Sequence, residues 1–353
     1  MPVAPQYKTM MRFIHQRPFL SSALLLAAAL LLSVAIGPVL IPFDTAARIL
    51  LSRLPGLAIP ISWPETYTAI LLQIRLPHTA LMALTGAALA GSGATYQGLF
   101  RNPLADPYLI GVASGAGLGA VVALAIRWPD TLLGLYTVPA SAFLGASLTI
   151  IIVYFLARVG RAVPTTTLIL AGVAFSSFAT SLTSLLMLLS NTELRRALAW
   201  LLGGAIMSGW QPVWVMLPYT ALGLGLLCLS GHALNVLQFG EEQAQQLGMP
   251  VERVKLGLIL AASLTTAAAV AFSGIIGFIG LVVPHVVRLA WGADYRRLVP
   301  LAALGGAAAL LLADLLARVV MKPQALPVGI VTALVGAPFF LWVLRRAKTQ
   351  AYW

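Results

Sequence analysis

Residues 76–100, LPHTALMALTGAALAGSGATYQGLF, lie between Arg75 and Arg101 and contain no Asp, Glu, Lys or Arg. A membrane-spanning helix needs about 20 consecutive apolar residues. This uncharged stretch of 25 residues is therefore long enough to cross a bilayer as one helix. It is also too long and too continuous for a strand of a transmembrane barrel.

The same pattern recurs along the chain, which is 60% hydrophobic and only 9% charged. Soluble domains carry about 25% charged residues. We therefore predict an all-α polytopic membrane protein with about ten transmembrane helices. The predicted spans are 19–40, 69–97, 107–126, 132–157, 164–190, 212–231, 252–273, 276–291, 298–320 and 327–345.

These spans form one predicted transmembrane domain over residues 19–346, with short tails at 1–18 and 347–353. The first apolar run exceeds the 7–15 residues typical of a signal peptide, so we expect it to be retained. The net charge is +12, which in a soluble protein would suggest nucleic acid. Here basic residues gather in the predicted cytoplasmic loops, as membrane proteins require, and this places both termini in the cytoplasm. The single Cys228 excludes a disulfide framework or a cysteine-based metal cluster.

Two short segments resemble each other. Residues 87–93, AALAGSG, are similar to residues 268–274, AAVAFSG. They fall on spans two and seven, which run in opposite directions, so the similarity predicts an inverted repeat of the kind common in transporters. The alternative is that small residues recur because they let helices pack closely.

The sequence lacks the motifs that the chain would need to hydrolyse ATP, to catalyse a reaction or to relay protons by itself. None of its lysines follows a glycine, so no phosphate-binding loop of the G-x-x-x-x-G-K-[ST] type exists. The histidines have no acid or nucleophile partner at a motif spacing, so no catalytic residue and no metal site are predicted. No series of intramembrane carboxylates suggests a proton relay.

Four segments carry a more specific pattern. They are residues 73–111 (from QIRLPH to PYLIG), 168–174 (LILAGVA), 239–248 (FGEEQAQQLG) followed by 272–288 (FSGIIGFIGLVVPHVVR), and 313–346 (from ADLLARVV to FLWVLRR). In this order and spacing they resemble the FecCD-type permeases, the transmembrane subunits of type II ABC importers for iron–siderophores, haem or cobalamin.

The resemblance implies a homodimer of ten-helix subunits in the bacterial inner membrane. Two ABC ATPase subunits would bind below the dimer, and a periplasmic or surface substrate-binding protein would dock above it. This chain would bind no cofactor, because ATP and Mg²⁺ would be used by the ATPase. Pairing with a similar subunit instead of a second copy stays open, as does the identity of the chelate.

The resemblance also assigns an ATPase-coupling loop at about residues 232–252. The segment inside it is polar, composed of helix-forming residues and bounded by glycine at both ends, so we expect it to be helical. The implied coupling residues are Gly240, Glu241, Glu242, Ala244, Leu247 and Gly248. A solvated connector is the alternative interpretation.

Two breaks between spans match the cytoplasmic gate of the family. The first is the proline-rich segment after span two, where the resemblance implies gate residues Asn102 and Leu104. The second lies between spans four and five at Thr165 and Thr166. Ordinary tight turns also favour these residue types.

Docking of the binding protein is assigned by resemblance to Arg75 and Arg318, assisted by Lys322. His78 stands where the family usually carries another arginine, which would weaken that contact or make it dependent on pH. Arg318 also follows Asp314 by four residues, so a helical ion pair competes with the docking role.

Two alternatives remain open. A transporter driven by an ion gradient would need an ionisable group at the bilayer midplane, for which Asp314 is the candidate. A channel is the other alternative, but the sequence has no evident filter segment.

His285 could be a metal or haem ligand, but packing is the more common role for a lone buried histidine. Among chelates, an iron(III)–siderophore is our first expectation.

Overall fold

The computed structural model describes residues 16–37, 39–53, 59–126, 136–160, 162–189, 194–204, 207–321 and 324–350, without the side chains of residues 344 and 346–350. These ranges are helical and contain no strand. The helices are α1 Pro18–Ala35, α2 Phe43–Leu51, α3 Glu65–Ala69, α4 Leu76–Leu99, α5 Val112–Ile126, α6 Thr137–Ala157, α7 Thr165–Leu189, α8 Leu194–Leu201, α9 Gln211–Leu229, α10 Gly231–Leu237, α11 Glu241–Gln246, α12 Val251–Ser273, α13 Ile279–Trp291, α14 Tyr295–Val320 and α15 Val328–Gln350. A π-helical segment, Ile70–Arg75, joins α3 to α4.

The predicted all-α class is confirmed, and each of the ten predicted spans coincides with one helix. Among the described residues, α1, α6, α7, α9, α12 and α14 are long and apolar enough to cross a membrane. Shorter apolar helices are α5, α13 and the first part of α15. The tenth helix is α4, which is rich in Gly, Ala and Thr.

Several boundaries differ from prediction, among them the start of the fourth span, which was expected at residue 132 whereas α6 begins at Thr137. The first span was expected to reach residue 40, but α1 ends at Ala35. There the Arg75 guanidinium binds the carbonyls of Val34 and Ala35, the last two residues of the helix, and that of Val39 beyond it. The third span was expected from residue 107, but α5 begins only at Val112. At the other end, α15 continues to Gln350, into the predicted C-terminal tail.

Helix α4 is the centre of the bundle and packs against α9, α12, α13 and α14. Its closest approach is to α14, where Gly86 faces Gly306. A Cβ atom on either glycine would overlap the backbone carbonyl of the other. A second contact of the same kind brings Gly93 against the backbone of Gly280 in α13. The small residues of the sequence therefore serve close helix packing.

The segment between α4 and α5 is non-helical and enters the bundle. Pro107 packs against Gly280, and the Tyr108 hydroxyl donates to the Ile276 carbonyl at 2.9 Å. The Leu109 N–H donates to the Asp106 carbonyl, and the Gly111 N–H donates to the Tyr108 carbonyl. These hydrogen bonds satisfy some of the backbone groups that no helix pairs. Non-helical backbone at this depth is tolerated because protein surrounds it.

The outer faces of the bundle carry large apolar side chains. Examples are Leu148 and Phe155 on α6 and Leu222 on α9, all exposed. Such faces would aggregate in water and are suited to lipid contact.

We predict that Gly86→Val destabilises the fold by about 1–3 kcal/mol or more, because the added methyl groups cannot fit against the Gly306 carbonyl. The measurement is the thermal unfolding midpoint of the detergent-solubilised protein, followed by size-exclusion chromatography after heating.

The matched control is Gly225→Val, since a Cβ atom at Gly225 in α9 meets open space. Equal midpoints for the two variants would show that the α4–α14 crossing does not limit stability.

Candidate functional site

Helices α10 and α11 form a compact segment between α9 and α12, which we call the coupling segment (residues 231–248). Helix α11 is bounded by Gly240 and Gly248, whose φ angles of 114° and 82° favour glycine. Glu241 and Glu242 occupy its first turn, where negative charge stabilises a helix. The segment predicted to be helical is therefore a helix, although its coupling role stays a prediction.

The coupling segment has a buried side and a strongly exposed side. Ala244 is completely buried, and its carbonyl accepts the Met249 N–H at 3.0 Å. Phe239 and Leu247 are 72% and 70% exposed. Our sequence interpretation named Leu247 but missed Phe239, although it directly precedes the glycine that starts α11. Together these two side chains form an apolar pair protruding from a polar segment.

The base of the coupling segment is attached to the start of α14. The Asn235 amide donates to Asp294 at 2.7 Å and accepts the Tyr295 N–H at 2.9 Å. Asp294 also caps α14 by accepting the Arg296 N–H. Hydrogen bonds from the Arg296 and Asn235 side chains hold the pKa of Asp294 below its usual range. This junction fixes α10 relative to the bundle.

The first predicted gate segment is a tight turn at the end of α4. The Asn102 side chain accepts the Leu104 N–H at 2.9 Å, and Arg101 adopts a positive φ of 49°. Asn102 is exposed and Leu104 is half-buried. A bond of 2.9 Å from the Gln238 amide to the Gly98 carbonyl connects this turn to the coupling segment.

The second predicted gate segment leads into α7. Thr165 is half-buried and Thr166 is exposed. The Thr167 hydroxyl donates to the Ala157 carbonyl at 2.9 Å and holds the end of α6 against the start of α7. Just before this segment, Val163 bonds to Lys255 and Glu252 of α12, and Lys255 pairs with Glu241 of the coupling segment.

Helix α7 presents a row of exposed hydroxyl groups that our sequence interpretation overlooked. Ser177, Ser181 and Ser184 lie on one face, each bonded to the carbonyl four residues earlier. Their spacing of four and three residues is visible in the sequence and marks one side of a helix. This face continues the line of the exposed Thr166.

Those residues assigned to docking that the structure describes form a mostly buried cluster at the opposite end of the bundle. Arg75 is only 5% exposed and donates to the backbone carbonyls of Val34 and Ala35, the last two residues of α1. The Arg318 guanidinium donates to the Ser33 hydroxyl at 2.8 Å and to the carbonyls of Ser33 and Ile36. Both arginines thus tie α1 to the bundle.

Asp314 supplies the negative charge of this cluster. Its carboxylate lies 2.9 Å from Arg318 Nε, a contact that is ionic because the N–H is not aligned for a hydrogen bond. The other oxygen lies 2.9 Å from Nε2 of His78. The helical ion pair expected from the sequence is therefore present, and the docking role of these residues stays a prediction. Lys322 lies outside the described residues.

Nothing in the described ranges resembles a metal centre, since no group of three or more His, Cys, Asp or Glu side chains meets there. His285 packs edge-on against Phe339, with ring centroids 6.5 Å apart, which favours the packing role. An apolar cavity of about 490 Å³ lies between α6, α9 and α12, lined by residues such as Phe143, Tyr219 and Phe272. It is lined by none of the predicted gate residues.

We predict that Asp314→Asn lowers stability by about 3–5 kcal/mol, because it leaves the Arg318 cation nearly buried without a counter-ion. The measurement is the thermal unfolding midpoint in detergent. Asp44→Asn, at an exposed acidic residue of α2, is the control and should have little effect.

Adding Arg318→Met to Asp314→Asn should recover part of the loss, since the unpaired charge is then removed. An Asp314→Asn midpoint equal to that of the unmodified protein would contradict the inferred ion pair.

Comparison with known proteins places this arrangement in a family. Residues 25–346 match the FecCD transport family. The chain is 44% identical over 322 residues to the uncharacterized ABC transporter permease protein YvrB of Bacillus subtilis, covering 91% of each chain. It is 42% identical to the cobalamin import system permease protein BtuC of Halobacterium salinarum, covering 94% of this chain and 96% of that one.

A third relative is the hemin transport system permease protein HmuU of Yersinia pestis, with 43% identity over 80% of this chain and 84% of that one. Among solved structures, an inward-facing metal-chelate type ABC transporter matches with a TM-score of 0.80 and 30% identity, covering 94% of this chain and 99% of that one. These relatives are transport subunits rather than enzymes, and so is this chain. It belongs to the FecCD transport family.

Proposed function

We propose that this chain is the membrane-spanning permease of an ATP-driven importer that takes up an iron(III)–siderophore or a related chelate, such as haem or cobalamin. The observation that carries the proposal is the exposed pair Phe239 and Leu247 on the coupling segment. Apolar side chains that protrude from a polar segment indicate a protein partner. The partner we propose is an ABC ATPase, because this chain has no phosphate-binding loop of its own.

The coupling segment is connected to both proposed gate segments. Gln238 bonds to the backbone just before the turn at Asn102, and Glu241 pairs with Lys255, which binds the backbone just before Thr165. A movement of the ATPase against α11 would thus displace both proposed gate segments. Two permease copies, each with one ATPase subunit, would surround the route that the substrate takes across the membrane.

The exposed hydroxyl face of α7 supports a polar but uncharged lining for that route. Ser177, Ser181 and Ser184 offer hydrogen-bonding groups without fixed charge, which suits a large chelate that is moved as one complex. The named substrates of the relatives, cobalamin and hemin, are of this size class. We keep the iron(III)–siderophore as the first substrate to test.

The outer cluster is the proposed docking region for a substrate-binding protein. Arg75 and Arg318 would have to release carbonyl groups at the C-terminal end of α1 to form strong contacts with acidic side chains of that protein. In this arrangement the permease lies in the bacterial inner membrane with both termini in the cytoplasm.

Uptake into proteoliposomes tests the proposal. The permease is reconstituted with the ABC ATPase that co-purifies with it in equal amount and with the binding protein captured in the same preparation. Iron(III)–siderophore, haem and cobalamin are supplied in parallel. Uptake of one of them that requires ATP, and that stops when the ATPase phosphate-loop lysine is replaced, would support the proposal.

Uptake by the permease alone under an ion gradient would overturn the proposal and would favour a secondary transporter. Asp314 would then be the residue to examine, although its charge is already paired with Arg318 and His78.

We predict that Phe239→Ala weakens ATPase binding at least tenfold, because a large apolar contact of the coupling segment is lost. The measurement is the dissociation constant of the permease–ATPase complex in detergent, obtained by microscale thermophoresis.

Phe43→Ala serves as the control, since Phe43 on α2 is similarly exposed, at 65%, but lies outside the coupling segment. Equal affinities for the two variants would place the ATPase contact elsewhere.

A further inference from the structure

Lys255, in the first turns of α12, is a cationic side chain that lies almost completely inside the protein. It is 4% exposed. Its Nζ atom lies 3.0 and 3.1 Å from the two carboxylate oxygens of Glu241 and 2.8 Å from the carbonyl oxygen of Val163. Glu252, one turn earlier on the same helix, lies 3.5 Å away. One ammonium group therefore joins three separate parts of the chain.

Val163 is held at both of its backbone polar groups. Its carbonyl accepts from Lys255, and its N–H donates to the Glu252 carboxylate at 3.2 Å. Its side chain is buried. The next residue is Pro164, after which α7 begins at Thr165. The position of the start of α7 is thus set by the Lys255–Glu252 pair.

Glu241 connects the same lysine to the coupling segment. It is the first residue of α11, and its side chain is partly exposed while that of Lys255 is not. Charge-assisted hydrogen bonds are stronger than neutral ones. A buried cation that loses its partner is costly. When α11 moves, the lysine therefore either follows Glu241 or remains with Val163 and Glu252 as a poorly compensated charge.

We propose that Lys255 is a positioning residue that transmits movement of α11 to the start of α7 and so to the gate residues Thr165 and Thr166. The inference rests on the proposed function, since it assumes that an ATPase moves α11. It adds a named link between the partner surface and the gate. Lys255 does not itself face the partner, because its side chain is enclosed by the protein.

A purely structural role would also make Lys255 important, so the test must separate transmission from folding. The complex with the ATPase is reconstituted from a permease that carries Thr166→Cys and Cys228→Ser. The rate of maleimide labelling at position 166 is measured without nucleotide and with ATP plus vanadate. In this background we expect the two rates to differ at least tenfold.

In Lys255→Met, which keeps the length and removes the charge, we expect the ratio of the two rates to fall below twofold. ATPase binding should stay within twofold of the background, since the residue is enclosed. Lys255→Arg should restore most of the ratio because it keeps a cationic donor. Arg253→Met, at an exposed cation of the same helix, is the matched control and should behave as the background does.

Glu241→Gln provides a second variant at a partly exposed site, where misfolding is not expected. Because Glu241 is also a predicted coupling residue, its labelling is measured at ATPase concentrations that saturate binding to this variant, and under those conditions the nucleotide-dependent ratio should fall. A full tenfold ratio in Lys255→Met with intact ATPase binding would overturn the inference, and so would a background without any nucleotide effect.

The same vesicles distinguish a failure of the proposed transport function from a failure of the role proposed for Lys255. Nucleotide-dependent labelling without ATP-dependent uptake of any tested chelate would count against the transport proposal but not against the role of Lys255.

Discussion

The close approach of α4 to α14 is the contact on which the rest of the structure depends. Gly86 and Gly306 allow the two backbones to touch, and Gly93 does the same against α13. Within a bilayer, apolar side chains gain little by leaving lipid for protein, so helices associate mainly through close packing and hydrogen bonds. Small residues at crossing points supply that packing. The Gly, Ala and Thr content of α4 is the reason it can occupy the centre.

Because close helix packing at the centre stabilises the bundle, polar interactions can be concentrated at its two ends. At one end Arg75, Arg318 and Asp314 tie α1 to α4 and α14. At the other, Asp294 anchors α10 and Lys255 joins α11 to the start of α7. The buried charges at the two ends are ion-paired or, for Arg75, hydrogen-bonded to backbone carbonyls, as burial requires. The coupling segment therefore rests on a rigid base, with its exposed side directed away from the bundle.

Much of the fold could be predicted from uncharged runs alone, since a bilayer requires about 20 apolar residues per helix. The coupling helix was also predictable, because Gly240 and Gly248 bound a helix-forming polar stretch. The early end of α1 was not, because it depends on a guanidinium that arrives from residue 75. The late start of α5 was missed for a related reason: residues 107–111 are apolar but are held in a non-helical path by contacts with α13 and Ile276.

By itself the sequence determined the membrane class, the helix positions, the family and the absence of a phosphate-binding loop, because these follow from local composition and from motifs in a fixed order. It also carried the Asp314–Arg318 spacing of one helical turn. Only the tertiary structure decided that His78 joins that pair, that Phe239 protrudes, and that Lys255 reaches Val163. Those contacts join residues that are distant in the chain, and a local sequence pattern does not determine which distant residues come into contact.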